Sequence, residues 1–195
     1  MSSLLESTAN TRQVLPDSFR LLRSDAPLAP TEADVAFLLS HGVRTLIDLR
    51  SQEEVLRRPC PLAEHPGFTY QNLPVTGGNA LPASTRDVPL SYLRMVDAQM
   101  SRILRTIRDA DGGVMFFCAA GKDRTGVVAA LLQRQAGLPR AEIVADYVRS
   151  GDNLREMFAA FLQRRPDVDV EVCTPRAAYM ETFLDRIDTH KWEQP

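Results

Sequence analysis

Cys118 and Arg124 stand six positions apart in the run Cys118-Ala119-Ala120-Gly121-Lys122-Asp123-Arg124-Thr125-Gly126, a spacing suited to nucleophilic displacement at a phosphoryl group. A cysteine attacks phosphorus as its thiolate, and a helix N-terminus with neighbouring cations favours that form. The planar guanidinium of Arg124 can bind two phosphoryl oxygens at once and follow them into the transition state, which a lysine does poorly. Lys122 adds a second positive charge, and the Thr125 hydroxyl can donate to the cysteine sulfur, making it a better leaving group in a second step. Asp123, in the same loop, is placed to protonate a leaving oxygen and later to deprotonate water. Ala119, Ala120 and Gly121 are small enough to let the loop curl until its amides converge on an anion, and Gly126 completes the phosphate-binding run.

The flanking sequence must hold this loop between a strand and a helix. Val114 to Phe117 is apolar at every position, as expected of a strand buried on both faces. A helix is expected to start near Thr125 and end at Gly137 before Pro139. Upstream, Thr31 with Asp34 and Ser51 with Glu54 are capping-box patterns that open two helices, the second unable to pass Pro59. Val43 to Leu49 and Phe68 to Leu73 read as strands. From Pro74 to Pro89 the glycines and prolines predict a long loop at the border of the site. Leu93, Val96, Met100, Ile103, Leu104 and Ile107 predict one amphipathic helix before Gly112-Gly113. The expected fold is α/β: a small twisted, mainly parallel central sheet flanked by helices, with a helical C-terminal half, in a single domain over 1–195.

Taken singly, these residues have blander readings. Cysteine is a common core residue, an arginine on a helix is usually solvated, and Lys122 with Asp123 reads as surface charge or capping. The combination after a buried strand favours chemistry. A nucleotide-binding Walker loop ending at Gly121-Lys122 would need glycine where Phe116 stands. Cys60 and Cys173 have no such context, and the three histidines are scattered, so neither a disulfide framework nor a metal site is expected, and no cofactor is implied. The net charge of -2, with 23 basic residues spread along the chain, gives no nucleic-acid stripe. Without a leader pattern in Met1 to Arg12 or a long apolar span, a soluble cytoplasmic protein without integral membrane association is expected.

The loop Cys-x-x-Gly-Lys-Asp-Arg-Thr-Gly, with Phe19 to Ser24, Thr45 to Glu54 including Asp-Leu-Arg-Ser, and Asp146-Tyr147 to Ser150, resembles the bacterial tyrosine phosphatase family related to lipid-type dual-specificity phosphatases. That resemblance spans most of the chain. It implies a phosphocysteine intermediate on Cys118, phosphate binding by Arg124 and the loop amides, Asp123 as the acid, and Asp48 and Arg50 as supports of the pocket. Phe117 stands where the family usually has histidine, which removes a hydrogen-bonding group near the cysteine. The family tends to continue beyond a helix ending near Asp188, so a lid or wall supplied there is expected to be missing from a chain that stops at Pro195 after Trp192. The expected function is that of a phosphomonoesterase of the protein-tyrosine or dual-specificity type acting on a phosphorylated substrate. Alternatives are a phosphatase of a nucleotide, a sugar phosphate or phosphoinositides, a noncatalytic phosphate-binding module, and, last, a sulfurtransferase.

Overall fold

The computed structural model describes residues 3–189; the expectations resting on Trp192 and on the chain end fall outside them. Its elements run β1 (Arg12–Gln13), β2 (Leu21–Asp25), α1 (Glu32–Ser40), β3 (Val43–Asp48), α2 (Gln52–Arg57), a 3-10 turn (Pro61–Glu64), β4 (Thr69–Asn72), α3 (Asp87–Arg94), α4 (Ala98–Asp109), β5 (Gly113–Cys118), α5 (Asp123–Gln135), α6 (Arg140–Asn153), α7 (Arg155–Arg164), α8 (Val170–Cys173) and α9 (Ala177–Thr189). The strands form one sheet in the order β1-β2-β5-β3-β4. All neighbouring pairs are parallel except β1 with β2. The expected α/β class and mainly parallel sheet are those of the structure.

Local chemistry explains why several elements start where they do. Thr31 caps α1 and Ser51 caps α2, each accepting from the amide three residues on while Asp34 and Glu54 reach back to the cap amide. Gly42, at φ +76, turns the chain out of α1 into β3, a conformation that side chains rarely adopt. β5 is buried at every position because it lies in the middle of the sheet with core on both faces. Alternation sends Val114, Phe116 and Cys118 into the core built with α3, α4, α5, α6 and α9, and Met115 and Phe117 into a smaller core with Leu38 of α1 and Leu62.

Three expectations change. The apolar stripe read as one helix is two, α3 and α4, because the Asp97 side chain accepts from the Met100 amide and starts a new helix there. The loop read from Pro74 to Pro89 ends earlier, since Pro89 lies within the first turn of α3, where a missing N–H leaves no bond unmade. β1 and β2 were not expected as strands. Arg23, Ser24 and Asp25 are polar yet buried, so the usual apolar signature is absent from β2.

Candidate active site

The loop from Cys118 to Arg124 bends back on itself at Gly121, whose φ is +68. A Cβ there would sit 2.5 Å from the Ser24 carbonyl oxygen and 2.5 Å from the Asp25 amide, so only glycine lets the loop pack on the end of β2.

Three successive carbonyls of the loop are turned outward onto donors. The Ala119 oxygen accepts from the Ala26 amide at 3.3 Å. Asn10 Nδ2 lies 3.4 Å from the Ala120 oxygen and 3.1 Å from the Gly121 oxygen, and Arg23 also donates to Gly121 at 3.0 Å. A trans peptide points its N–H opposite to its C=O, so the amides of Ala120, Gly121 and Lys122 face the concave side of the loop. There they join the free N-terminal amides of α5, a concave set of donors.

A buried ionic cluster holds the donors in place. Asp146 accepts from Arg12 Nε at 2.6 Å and from Arg23 at 2.5 Å, and the Asp25 carboxylate takes the Asn10 amide at 2.8 Å. Burial alone would raise the Asp146 carboxyl, but the charges and hydrogen bonds of Arg23 and Arg12 outweigh it and hold it below the usual range. The stretches Phe19 to Ser24 and Asp146 to Ser150 thus meet behind the loop.

Arg124 is 7% exposed. Its Nη1 and Nη2 donate to the two carboxylate oxygens of Glu54 at 2.5 and 2.8 Å, and Nη1 also reaches Asn79 Oδ1 at 3.3 Å. Guanidinium has five N–H donors, and the edge formed by Nε and the second N–H of Nη2 has no partner among the described residues. Burial raises the Glu54 carboxyl, yet the hydrogen bonds and charge of Arg124, with the Ser51 amide, bring it down to about 2. The loop carrying Asn79 lies against the arginine: a Cβ on Gly78 would meet Arg124 Cγ at 2.8 Å.

Cys118 is 3% exposed at the end of β5. The Thr125 hydroxyl is fully buried and has no partner among the described residues. Asp123 begins α5, and its Oδ1 accepts from the Tyr92 hydroxyl at 2.5 Å; that hydroxyl pairs in turn with Tyr147 at 2.6 Å. Burial, then the charge of Asp123, pushes the Tyr92 phenol well up, so it remains a proton donor.

Other expected residues are placed differently. Lys122 turns from the loop toward α8, donating to the Cys173 oxygen at 2.7 Å and the Val172 oxygen at 3.4 Å, with Asp123 at 3.3 Å and its ammonium 5.5 Å from the Phe158 ring centroid. Asp48 and Arg50 form a buried ion pair with further partners. Arg50 grips both Asp48 oxygens, Tyr70 donates to the same carboxylate at 2.9 Å, and Arg50 Nη1 holds the Arg58 carbonyl at 2.8 Å. The pair therefore anchors α2, the helix that carries Glu54. Phe117 faces the opposite core from Cys118, with the Arg50 guanidinium 5.8 Å from its ring. Among the described residues no three His, Cys, Asp or Glu side chains gather to hold a metal ion.

A model of the tyrosine phosphatase family matches residues 7–192. The chain belongs to the tyrosine phosphatase family. Within that family it is similar to a tyrosine-protein phosphatase of Nostoc commune, 36% identical over 134 residues, a match covering 64% of this chain and 46% of that protein. The chain thus spans about half the length of that relative. It is also similar to the triple specificity protein phosphatase PtpB of Mycobacterium tuberculosis, 44% identical over 191 residues, covering 77% of this chain and 69% of the relative. Among solved structures, P. aeruginosa TpbA in complex with phosphotyrosine aligns with a TM-score of 0.47 at 17% identity, over 95% of this chain and 99% of that one.

Residue types and spacing give no sign of several groups that surround the loop: Glu54 beside Arg124, Asn79, Tyr92 and Asn10. Glu54 is the helix cap that its spacing from Ser51 predicts; its other carboxylate contact, Arg124, lies 70 positions away and leaves no local signal. Tyr92 directly precedes the apolar stripe that opens at Leu93; its ring is buried, and its hydroxyl's partner Asp123 lies 31 positions away and leaves no local signal.

Proposed function

We propose that this chain is a phosphomonoesterase of the protein-tyrosine or dual-specificity type, working through a phosphocysteine on Cys118. The observation that carries this reading is the orientation of Arg124. Glu54 occupies one edge of the guanidinium and leaves the other, a parallel pair of donors, for two phosphoryl oxygens beside the loop amides. The names of the relatives, a tyrosine-protein phosphatase and a triple specificity protein phosphatase, agree with it.

In the first step the Cys118 thiolate attacks phosphorus, the bond to the leaving oxygen breaks, and Asp123 gives that oxygen its proton. The inward amides and Arg124 take the charge that builds on the equatorial oxygens. In the second, water attacks the phosphocysteine, Asp123 takes the water proton, and the sulfur leaves as thiolate, toward which the buried Thr125 hydroxyl, without a partner among the described residues, would turn to donate. Every charge change is met by protein groups, and no cofactor enters the scheme. All three cysteines are free thiols, which supports a reducing, cytoplasmic location. No helix among the described residues is long and apolar enough to cross a membrane.

The test is phosphate release at pH 5 to 8 from an aryl phosphate, a phosphotyrosine peptide, a phosphoserine peptide, a phosphoinositide and a set of nucleotides and sugar phosphates, comparing wild type with Cys118→Ser. Turnover of aryl phosphate and phosphotyrosine peptide that vanishes in the serine variant is expected. Turnover that survives in Cys118→Ser, or none from any compound, would end the reading.

A further inference from the structure

Beside the phosphate loop, a pocket of about 120 Å³ is lined by Ala26, Leu28, Arg50, Glu54, Arg57, Arg58 and Ala119. Ala119 directly follows Cys118, so the pocket adjoins the loop that would hold the scissile phosphate. Three of its lining residues are arginines. Arg50 is neutralised by Asp48, Arg57 is paired with Glu53 on the exposed face of α2, and Glu54 is neutralised by Arg124. Arg58 has no side-chain hydrogen bond or ion pair among the described residues, although its carbonyl is pinned by Arg50. A cation is thus held by its backbone at the mouth of the site with its guanidinium unspent, next to the apolar wall of Ala26, Leu28 and Ala119.

We propose that this pocket is a second anion subsite, selecting phosphopeptides that carry another negative group, a carboxylate or a second phosphate, beside the phosphorylated residue. The inference rests on the phosphatase reading and names the substrate class that would suit it. The apolar wall fits the methylenes of an acidic side chain, and Arg58 supplies the charge-assisted hydrogen bond at their end. An anionic membrane surface fits less well. The Glu53 side chain is 81% exposed next to Arg57, and the chain carries a net charge of -2. A soluble anionic peptide can place one group in the pocket without bringing a charged plane against those carboxylates.

The experiment measures kcat/KM on phosphotyrosine peptides of one length whose flanking residue is Ala, Glu or phosphoserine, for wild type, Arg58→Ala and Arg58→Glu, with p-nitrophenyl phosphate as the small control and vesicles containing a phosphoinositide as a further arm. Wild type should favour the anionic flanks by about 5-fold, Arg58→Ala should abolish most of that preference, and Arg58→Glu should invert it, with p-nitrophenyl phosphate turnover unchanged. The Glu and phosphoserine arms tell which anion the subsite prefers. Equal turnover of all three peptides by wild type, an equal loss on the Ala peptide and the anionic ones, or an Arg58 effect confined to vesicles would overturn the proposal. Should wild type show no Cys118-dependent turnover, the phosphatase reading fails by itself. The subsite is then read by titrating the Cys118→Ser protein with the same labelled peptides, and binding that ignores the flank or Arg58 overturns it there as well.

Discussion

Glu54 and Arg124 form a two-pronged ion pair between α2 and α5, with N–O distances of 2.5 and 2.8 Å, that occupies one edge of the guanidinium and leaves the other without a partner among the described residues. Replacing the carboxylate with the isosteric amide in Glu54→Gln keeps the volume but removes the charge and one acceptor. We expect kcat/KM on an aryl phosphate to fall about 10-fold to 100-fold, the penalty of a misaligned transition-state ligand. Circular dichroism should stay native. A variant with wild-type kinetics would show that Arg124 finds its orientation unaided.

The same pair sets a pH dependence. Glu54 has a folded pKa of about 2, below its ordinary value of 4.5, so its contribution to stability is present above the unfolded value and is lost as pH falls through the folded one. Between pH 5 and 8 the pair is fully ionised, and Glu54→Gln should shift no limb of the rate profile in that window while lowering it throughout. A moved limb would contradict this.

Tyr92 donates to Asp123 from a fully buried position, holding the carboxylate by one oxygen. Tyr92→Phe should reduce turnover of alkyl phosphates, whose leaving oxygen needs a proton, by about 10-fold more than that of p-nitrophenyl phosphate. Equal losses on both would mean that the hydroxyl serves only the fold.

Thr125 has a buried hydroxyl that forms no resting bond among the described residues, so Thr125→Val removes nothing the folded state uses. The variant should fold normally and accumulate phosphocysteine. Stopped-flow release of nitrophenol should show a burst of about one equivalent followed by a slower steady rate. Lack of a burst would place the hydroxyl outside the second step.

Asp146 neutralises both Arg12 and Arg23 behind the loop. Asp146→Asn should cost about 3–5 kcal/mol of stability at neutral pH, measured by urea unfolding, because two buried guanidinium groups lose their counter-charge. The folded carboxyl is depressed, so the gap between wild type and variant should narrow as pH falls below the ordinary carboxylate range. A constant gap down to the acid transition would deny the ionic origin.

What the sequence made legible was local. Thr31 with Asp34 and Ser51 with Glu54 announce their helices because a capping box is complete within four residues. The loop from Cys118 to Gly126 is contiguous, so the chemistry proposed for it rests on residue types alone. The break at Asp97 was hidden because the apolar stripe of α4 continues that of α3 in nearly the same phase. β2 was hidden because its polar residues are buried for non-local partners: Arg23 donates to Gly121 and Asp146, 98 and 123 positions away, while Ser24 pairs with Thr11 and Asp25 accepts from the Ala9 and Asn10 amides. Lys122 shows the limit from the other direction: its place in the loop suggests a phosphate ligand, yet its ammonium donates to the Cys173 and Val172 carbonyls and pairs with Asp123.

β5 is the middle strand of the sheet, and Cys118 is its last residue. Amides in such a strand exchange with solvent only when the whole domain opens, so Cys118 is fastened to the final part of the molecule to come apart. Partial melting at the periphery, in β1 or the short α8, leaves that anchorage standing. Heat or denaturant should therefore abolish the proposed Cys118-dependent turnover along the same curve that erases the sheet, with no interval in which a folded protein has lost its thiol's setting.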